Sequence, residues 1–204
     1  MFGRIRGSEI MVKAINTVTG IYGWKGAGKT VVQTLFLWLE YQMKKKPVIY
    51  CNYKLDFPYE WLHGDDIVMI AEHLQNSAIG IDELHEYADC RNSGSVQNRR
   101  VSDFFLQSRH TNANVYYTTQ YKDQVDKRIR RITDVDIVCE NLETDSDGDG
   151  HNDLFRLTIK DRRRPESPVI TKTICGTPIF NMYDSTERIN PFEMKKRSKD
   201  NGED

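Results

Sequence analysis

The segment that most constrains this chain is Gly23-Trp24-Lys25-Gly26-Ala27-Gly28-Lys29-Thr30, which fits the pattern G-x-x-x-x-G-K-[ST] at every position. Its flanks agree with it. Ile15 to Tyr22 is apolar and β-branched, as in a buried strand. Lys29 to Met43 places Val31, Val32, Leu35, Phe36, Trp38 and Leu39 at helical spacing, as in a helix packed on a sheet. Strand, glycine-rich turn and helix together make a phosphate-binding loop. Glycines let the backbone wrap around phosphate oxygens without a Cβ in the way. The N–H groups of the loop and the helix N-terminus supply partial positive charge. Residues Gly23 to Val31 are therefore expected to hold a nucleotide, with Lys29 on the β- and γ-phosphates and the Thr30 hydroxyl on Mg²⁺. Lys25 stands four residues before Lys29, one short of the deviant loops of the MinD type.

A second element lies about fifty residues on, where Ala78-Ile79-Gly80-Ile81 runs into Asp82-Glu83. An apolar strand ending in Asp-Glu places one carboxylate to hold Mg²⁺ through water and a second to polarise an attacking water. Asp82 and Glu83 take those roles here, which favours a hydrolase over a kinase. The strand Ala113 to Thr119 ends at Gln120. A polar residue at that tip can face a γ-phosphate and sense it.

The rest of the chain alternates strands and helices. Val48-Ile49-Tyr50-Cys51 reads as a second strand after Pro47, with Lys44 to Lys46 in the last turn of the preceding helix. Asp66 to Leu74 includes a short helix, and Val96 to Arg109 a longer one. Thr133 to Leu142 and Leu154 to Ile159 read as an antiparallel hairpin at the sheet edge, joined by an acidic turn. Residues 1–14 form an arm, 15–192 one domain, and 193–204 a charged tail expected to be disordered.

The order of the phosphate loop, Asp82-Glu83, a helix, Arg109-His110 and a strand closing in Thr119-Gln120 resembles the FtsK/HerA superfamily of DNA-pumping ATPases. The short chain, with no separate DNA-reading domain, is similar to genome-packaging ATPases of internal-membrane icosahedral viruses, those of the Sulfolobus turreted viruses among them. The resemblance spans residues 15–120 and is thin beyond. It implies a RecA-like (ASCE) P-loop fold with a mostly parallel sheet of order 5-1-4-3-2, helices on both faces. It also implies ATP and Mg²⁺ as ligands, a ring, usually hexameric, and an arginine finger supplied in trans. Arg109 best matches the finger position, followed by Arg99 and Arg100, then Arg128, Arg130 and Arg131. The implied function is translocation of double-stranded DNA into a capsid, with a capsid vertex or portal as partner. Helicase loading or DNA partition is the alternative.

Composition limits the partners. The formal net charge of −1 excludes a bulk attraction to nucleic acid, so any such contact must come from local runs such as Arg128–Arg131 and Arg162–Arg164. Such contacts would be to phosphates and blind to sequence, as no base-reading motif is present. Cys51, Cys90, Cys139 and Cys175 are scattered, which gives neither a zinc ribbon nor a disulfide framework. No apolar run is long enough to span a bilayer, so the expected setting is the host cytoplasm or the virion.

Three other patterns fail on inspection. Asp145-x-Asp147-x-Asp149-Gly150 starts like an EF-hand loop but meets Arg156 where a bidentate glutamate is needed. His85-Glu86 starts like H-E-x-x-H but meets Asp89 in place of the second histidine. The absence of N-K-x-D argues against a GTPase switch. Trp24 is expected to pack over the loop, or to brace the nucleotide or a neighbouring subunit. Tyr116 and Tyr117 are expected to be buried on opposite faces of their strand.

Overall fold

The computed structural model describes residues 16–44, 46–69, 72–142 and 154–184. The expected arm, the tail and the acidic turn lie outside these.

Alternating strand and helix patterns produce one eight-stranded sheet of order β3-β2-β4-β5-β1-β6-β7-β8. In chain order the elements are β1 (Val18–Tyr22), α1 (Lys29–Gln42), β2 (Val48–Cys51), β3 (Glu60–Trp61), α2 (Gly64–Val68), β4 (Ser77–Ile81), α3 (Val96–Gln107), β5 (Asn114–Thr119), α4 (Lys127–Ile132), β6 (Val135–Asn141), β7 (Leu154–Asp161), β8 (Ile170–Cys175) and α5 (Thr177–Phe180). The five long parallel strands run β2-β4-β5-β1-β6. Numbered among themselves and read from β6, they follow the expected order 5-1-4-3-2. The sheet differs from that core in three added strands. β3 pairs parallel beyond β2, and β7 and β8 follow β6 in antiparallel register.

The expected hairpin forms, as β6 pairs with β7 from Val135↔Asp161 to Asn141↔Phe155. Its place is different. β6 is also the parallel neighbour of β1, and β8 covers the outer side of β7, so the hairpin does not form the edge. β8 escaped notice because only one of its six residues is buried. A mostly exposed strand carries little hydrophobic alternation.

Each face of the sheet has its own core. One joins α1 to the hairpin through Val32, Leu35, Leu37, Tyr116, Ile137, Phe155 and Leu157. The other joins α3 and α4 to the sheet through Val18, Ile79, Val101, Phe105, Tyr117 and Ile129. Tyr116 and Tyr117 thus enter opposite cores, because successive strand residues alternate faces. Tyr116 stacks on Phe36 with ring centroids 5.5 Å apart, and its hydroxyl donates to buried Glu40 at 2.7 Å.

The lysine run does not sit in the last turn of α1. The helix stops at Gln42, and Lys44 adopts a left-handed conformation, φ 49°. Lys46 folds back so that its Nζ donates to Asn112 O and Oδ1 at 2.5 and 3.1 Å. Where a short helix is expected from Asp66 to Leu74, the described residues form α2 and a 3₁₀ turn at Glu72–Leu74.

Candidate active site

The phosphate loop crosses from the C-terminal end of β1 to the first turn of α1. Gly28, the residue before α1, has φ 86°, a region that a side chain would strain. A Cβ there would also lie 2.4 Å from the Phe155 ring. The helix starts with no side-chain cap and no acidic residue in its first turn. Its N–H groups are thus left for an anion. The hairpin supports the loop from below. The Asn141 amide donates to Gly26 O at 3.5 Å, and Gly23 sits against the Cys139 carbonyl.

Lys29, 7% exposed, points its Nζ along the loop to Trp24 O at 3.3 Å and lies 3.8 Å from Glu83 Oε1. Thr30 Oγ1 meets the Asp82 carboxylate at 3.4 and 3.5 Å. The register of β1, β5 and β4 places these groups side by side at the carboxyl ends of the strands, where open α/β sheets bind ligands.

Asp82 is held from three sides. Asn52, just past β2, accepts from the Asp82 N–H at 2.8 Å and donates to its carbonyl at 3.1 Å. Thr118 Oγ1 donates to Asp82 Oδ1 at 2.5 Å and accepts from the Glu83 N–H at 2.9 Å. One threonine on β5 therefore ties both acidic residues together. Burial pushes the Asp82 carboxyl up to about 6, against the hydrogen bond from Thr118. The nearby Glu83 adds to the rise, while Lys29 and Thr30 oppose it. A carboxyl in that condition is suited to a cation beside it. Thr30 and Asp82 offer hard oxygen donors of the kind Mg²⁺ takes. Among the described residues no group of three or more His, Cys, Asp or Glu could hold a metal. Magnesium here would draw its other ligands from phosphate and water.

Glu83 adopts a left-handed conformation, φ 50°, which is uncommon for such a residue and turns it out of the strand direction. Gln120 follows the last residue of β5. The pairing Tyr22↔Thr119 sets it level with Gly23. Trp24 does not pack over the loop. It is 70% exposed and stands edge-on to Tyr121, with ring centroids 5.0 Å apart.

Arg109 is apart from the others. It precedes β5, at the opposite end of the parallel strands from the phosphate loop. There Nη2 pairs with Asp134 Oδ1 at 2.5 Å, while Asp134 Oδ2 accepts from the Val18 N–H at 3.0 Å. Among the other finger candidates, Arg99 and Arg100 are exposed on α3, and the Arg128 guanidinium donates twice to Asp126. Sequence reasoning missed Asn52, Thr118 and Phe155. Only their position one strand over, or one hairpin away, identifies them.

The family model described as zonular occludens toxin (Zot) matches residues 65–188, more than half of the chain. The chain belongs to the Zot family. This Zot-family chain is also similar in fold to the N-terminal domain of zonular occludens toxin from Neisseria meningitidis. The TM-score is 0.61 at 16% identity, over 84% of this chain and 100% of that one. It resembles the DNA-packaging ATPase of Sulfolobus turreted icosahedral virus, with a TM-score of 0.52 and 16% identity, over 78% and 97% of the two chains. The genome-packaging NTPase of Sulfolobus turreted icosahedral virus 2, in complex with AMPPCP, gives 0.52 at 13% identity, over 78% and 96%. At such identities the likeness is one of fold. The expected resemblance to viral packaging ATPases stands at that level. No curated protein matches the sequence.

Proposed function

We propose that this Zot-family chain is a Mg²⁺-dependent ATPase whose turnover drives movement of double-stranded DNA, most simply into a capsid. The observation that carries the hydrolase reading is the meeting of Lys29, Thr30, Asp82 and Glu83 within 4 Å contacts at one end of the sheet. Lys29 and the N–H groups of the loop bind the β- and γ-phosphates. Thr30 and Asp82 hold Mg²⁺, which supplies charge neutralisation on the phosphate oxygens. Glu83 accepts a proton from water as the water oxygen bonds to the γ-phosphorus. The bond to the bridging oxygen breaks, leaving ADP and phosphate. Gln120, level with the loop, contacts the γ-phosphate.

The DNA part rests on a juxtaposition. The Arg162 guanidinium donates to the Arg130 carbonyl, so two basic runs distant in sequence form one patch. Arg131 and Arg164 are exposed. Such a patch suits a phosphate backbone. The packaging role of the Sulfolobus virus proteins supports the same reading. A ring of subunits and a capsid-vertex partner complete the proposal.

Steady-state ATP hydrolysis, with and without long duplex DNA, tests it. Glu83→Gln should bind ATP and lose turnover. A variant with unmodified turnover would overturn the catalytic assignment. Replacing Arg131 and Arg164 with alanine should reduce DNA stimulation and flatten its salt dependence. Arg109 as a finger in trans is tested by mixing Arg109→Ala with Lys29→Ala. Restored activity supports it, and no rescue from an intact assembly refutes it.

A further inference from the structure

The geometry points to His85 as a positioning residue that holds the Glu83 carboxylate in its reactive orientation. This inference rests on Glu83 being the base of an ATPase. His85 lies on the 3₁₀ turn Leu84–Glu86 that follows Glu83. Its Nδ1 is 3.2 Å from Glu83 Oε2. Both atoms are buried, and neither has an aligned hydrogen-bond partner among the described residues. Two buried polar atoms without aligned partners, 3.2 Å apart, carry a desolvation cost that a mutual bond relieves. A small rotation of the imidazole aligns Nδ1–H with the carboxylate. The other ring nitrogen, Nε2, lies 3.7 Å from Glu86 Oε1, so the ring is flanked by two carboxylates.

The two nitrogen groups beside Glu83 have different duties. Lys29 faces Oε1, and its charge is claimed by phosphate once ATP binds. His85 faces Oε2 and has no such competitor. Glu83 itself sits in a left-handed conformation, held through its N–H by Thr118. A carboxylate that must meet a water in line with the γ-phosphorus needs a second restraint, and His85 supplies it. On its other side His85 lines a cavity of about 520 Å³ with Asp89, Cys90, Arg91, Tyr121 and Gln124. The His85 side chain is 26% exposed, so its truncation should cost less packing than loss of a core residue.

The test compares His85→Ala, His85→Asn, Glu83→Gln and the double variant Glu83→Gln/His85→Ala. It measures kcat and KM for ATP, nucleotide affinity and Tm. Asparagine keeps a donor near the place of Nδ1. Expected is a fall in kcat of about 10- to 100-fold for His85→Ala, typical of a misplaced catalytic group. KM and Tm should stay near those of the unmodified protein. His85→Asn should recover most of the loss, and the double variant should be no slower than Glu83→Gln alone. An unchanged kcat in His85→Ala, a loss that asparagine does not restore, or a parallel loss of Tm overturns the role of His85. If Glu83→Gln keeps full turnover, the base assignment falls and this inference falls with it. If Glu83→Gln is inactive while His85→Ala is not, only the inference about His85 falls.

Discussion

Where the parallel strands begin, several buried or half-buried charged groups find partners in the fold, although Asn16 Oδ1, Thr17 Oγ1 and Glu40 Oε2 do not. Arg109 and the Val18 N–H share Asp134, Asn114 and Tyr116 share Glu40, and Lys46 binds Asn112. Where the same strands finish, groups are held but poorly compensated. The α1 N-terminus has no cap, Asp82 is buried with its carboxyl pushed up to about 6, and Glu83 Oε2 has no aligned donor. Gly28 and Glu83 adopt left-handed backbone there, as Asn16, Asn76 and Asn112 do at the other end. The two ends thus differ less in backbone strain than in charge, since one pairs its ionised groups and the other leaves a helix N-terminus, a buried carboxyl and a glutamate oxygen open to a ligand. Such arrangements persist at sites where a ligand or a reaction supplies the missing partner.

That contrast can be broken by substitution. The largest effect is expected from Lys29→Ala, with hydrolysis reduced on the order of 10³-fold, as for loss of a phosphate-stabilising cation. Thermal unfolding should barely move. A collapse in Tm of comparable weight would show that the loop end also carries stability. Next is Asp134→Ala at the other end, expected to cost about 3 kcal/mol in urea unfolding, since it strands a buried N–H and an arginine. Turnover per folded molecule should persist.

A smaller change of opposite sign is expected for Asp82→Asn, measured without divalent cation. A carboxyl raised from 3.8 to about 6 on folding costs stability as pH rises through that interval. Removing the charge should stabilise by about 2 kcal/mol at pH above 6, with no gain below about pH 4. Urea midpoints at several pH values check this. Mg²⁺ should stabilise the unmodified protein and not the variant. Smallest is Arg109→Ala, expected to cost about 1 kcal/mol because the guanidinium is 54% exposed. Differential scanning at fixed protein concentration would resolve it.

Much of the site was legible along the chain because its groups are local in sequence. Gly23 to Thr30 is one turn, and Asp82 and Glu83 are adjacent at a strand end. The five-strand order followed from the resemblance those residues carry. Thr118 and Asn52 were not legible. A threonine in a strand and an asparagine after one are ordinary, and nothing in their own neighbourhoods marks them. The Lys44 to Lys46 run misled because a favourable dipole interaction was outweighed by the carbonyl of Asn112, sixty-six residues away.

By itself, the sequence determined that this chain has a phosphate loop, an acidic strand end and alternating elements that must form a mostly parallel sheet. These depend on backbone conformation and periodicity, which act over a few residues. Only the tertiary structure decided that Thr118 ties Asp82 to Glu83, that the β6–β7 hairpin braces the loop, and that Arg109 anchors the far end. Those outcomes depend on strand order and register, which bring distant residues within hydrogen-bond reach.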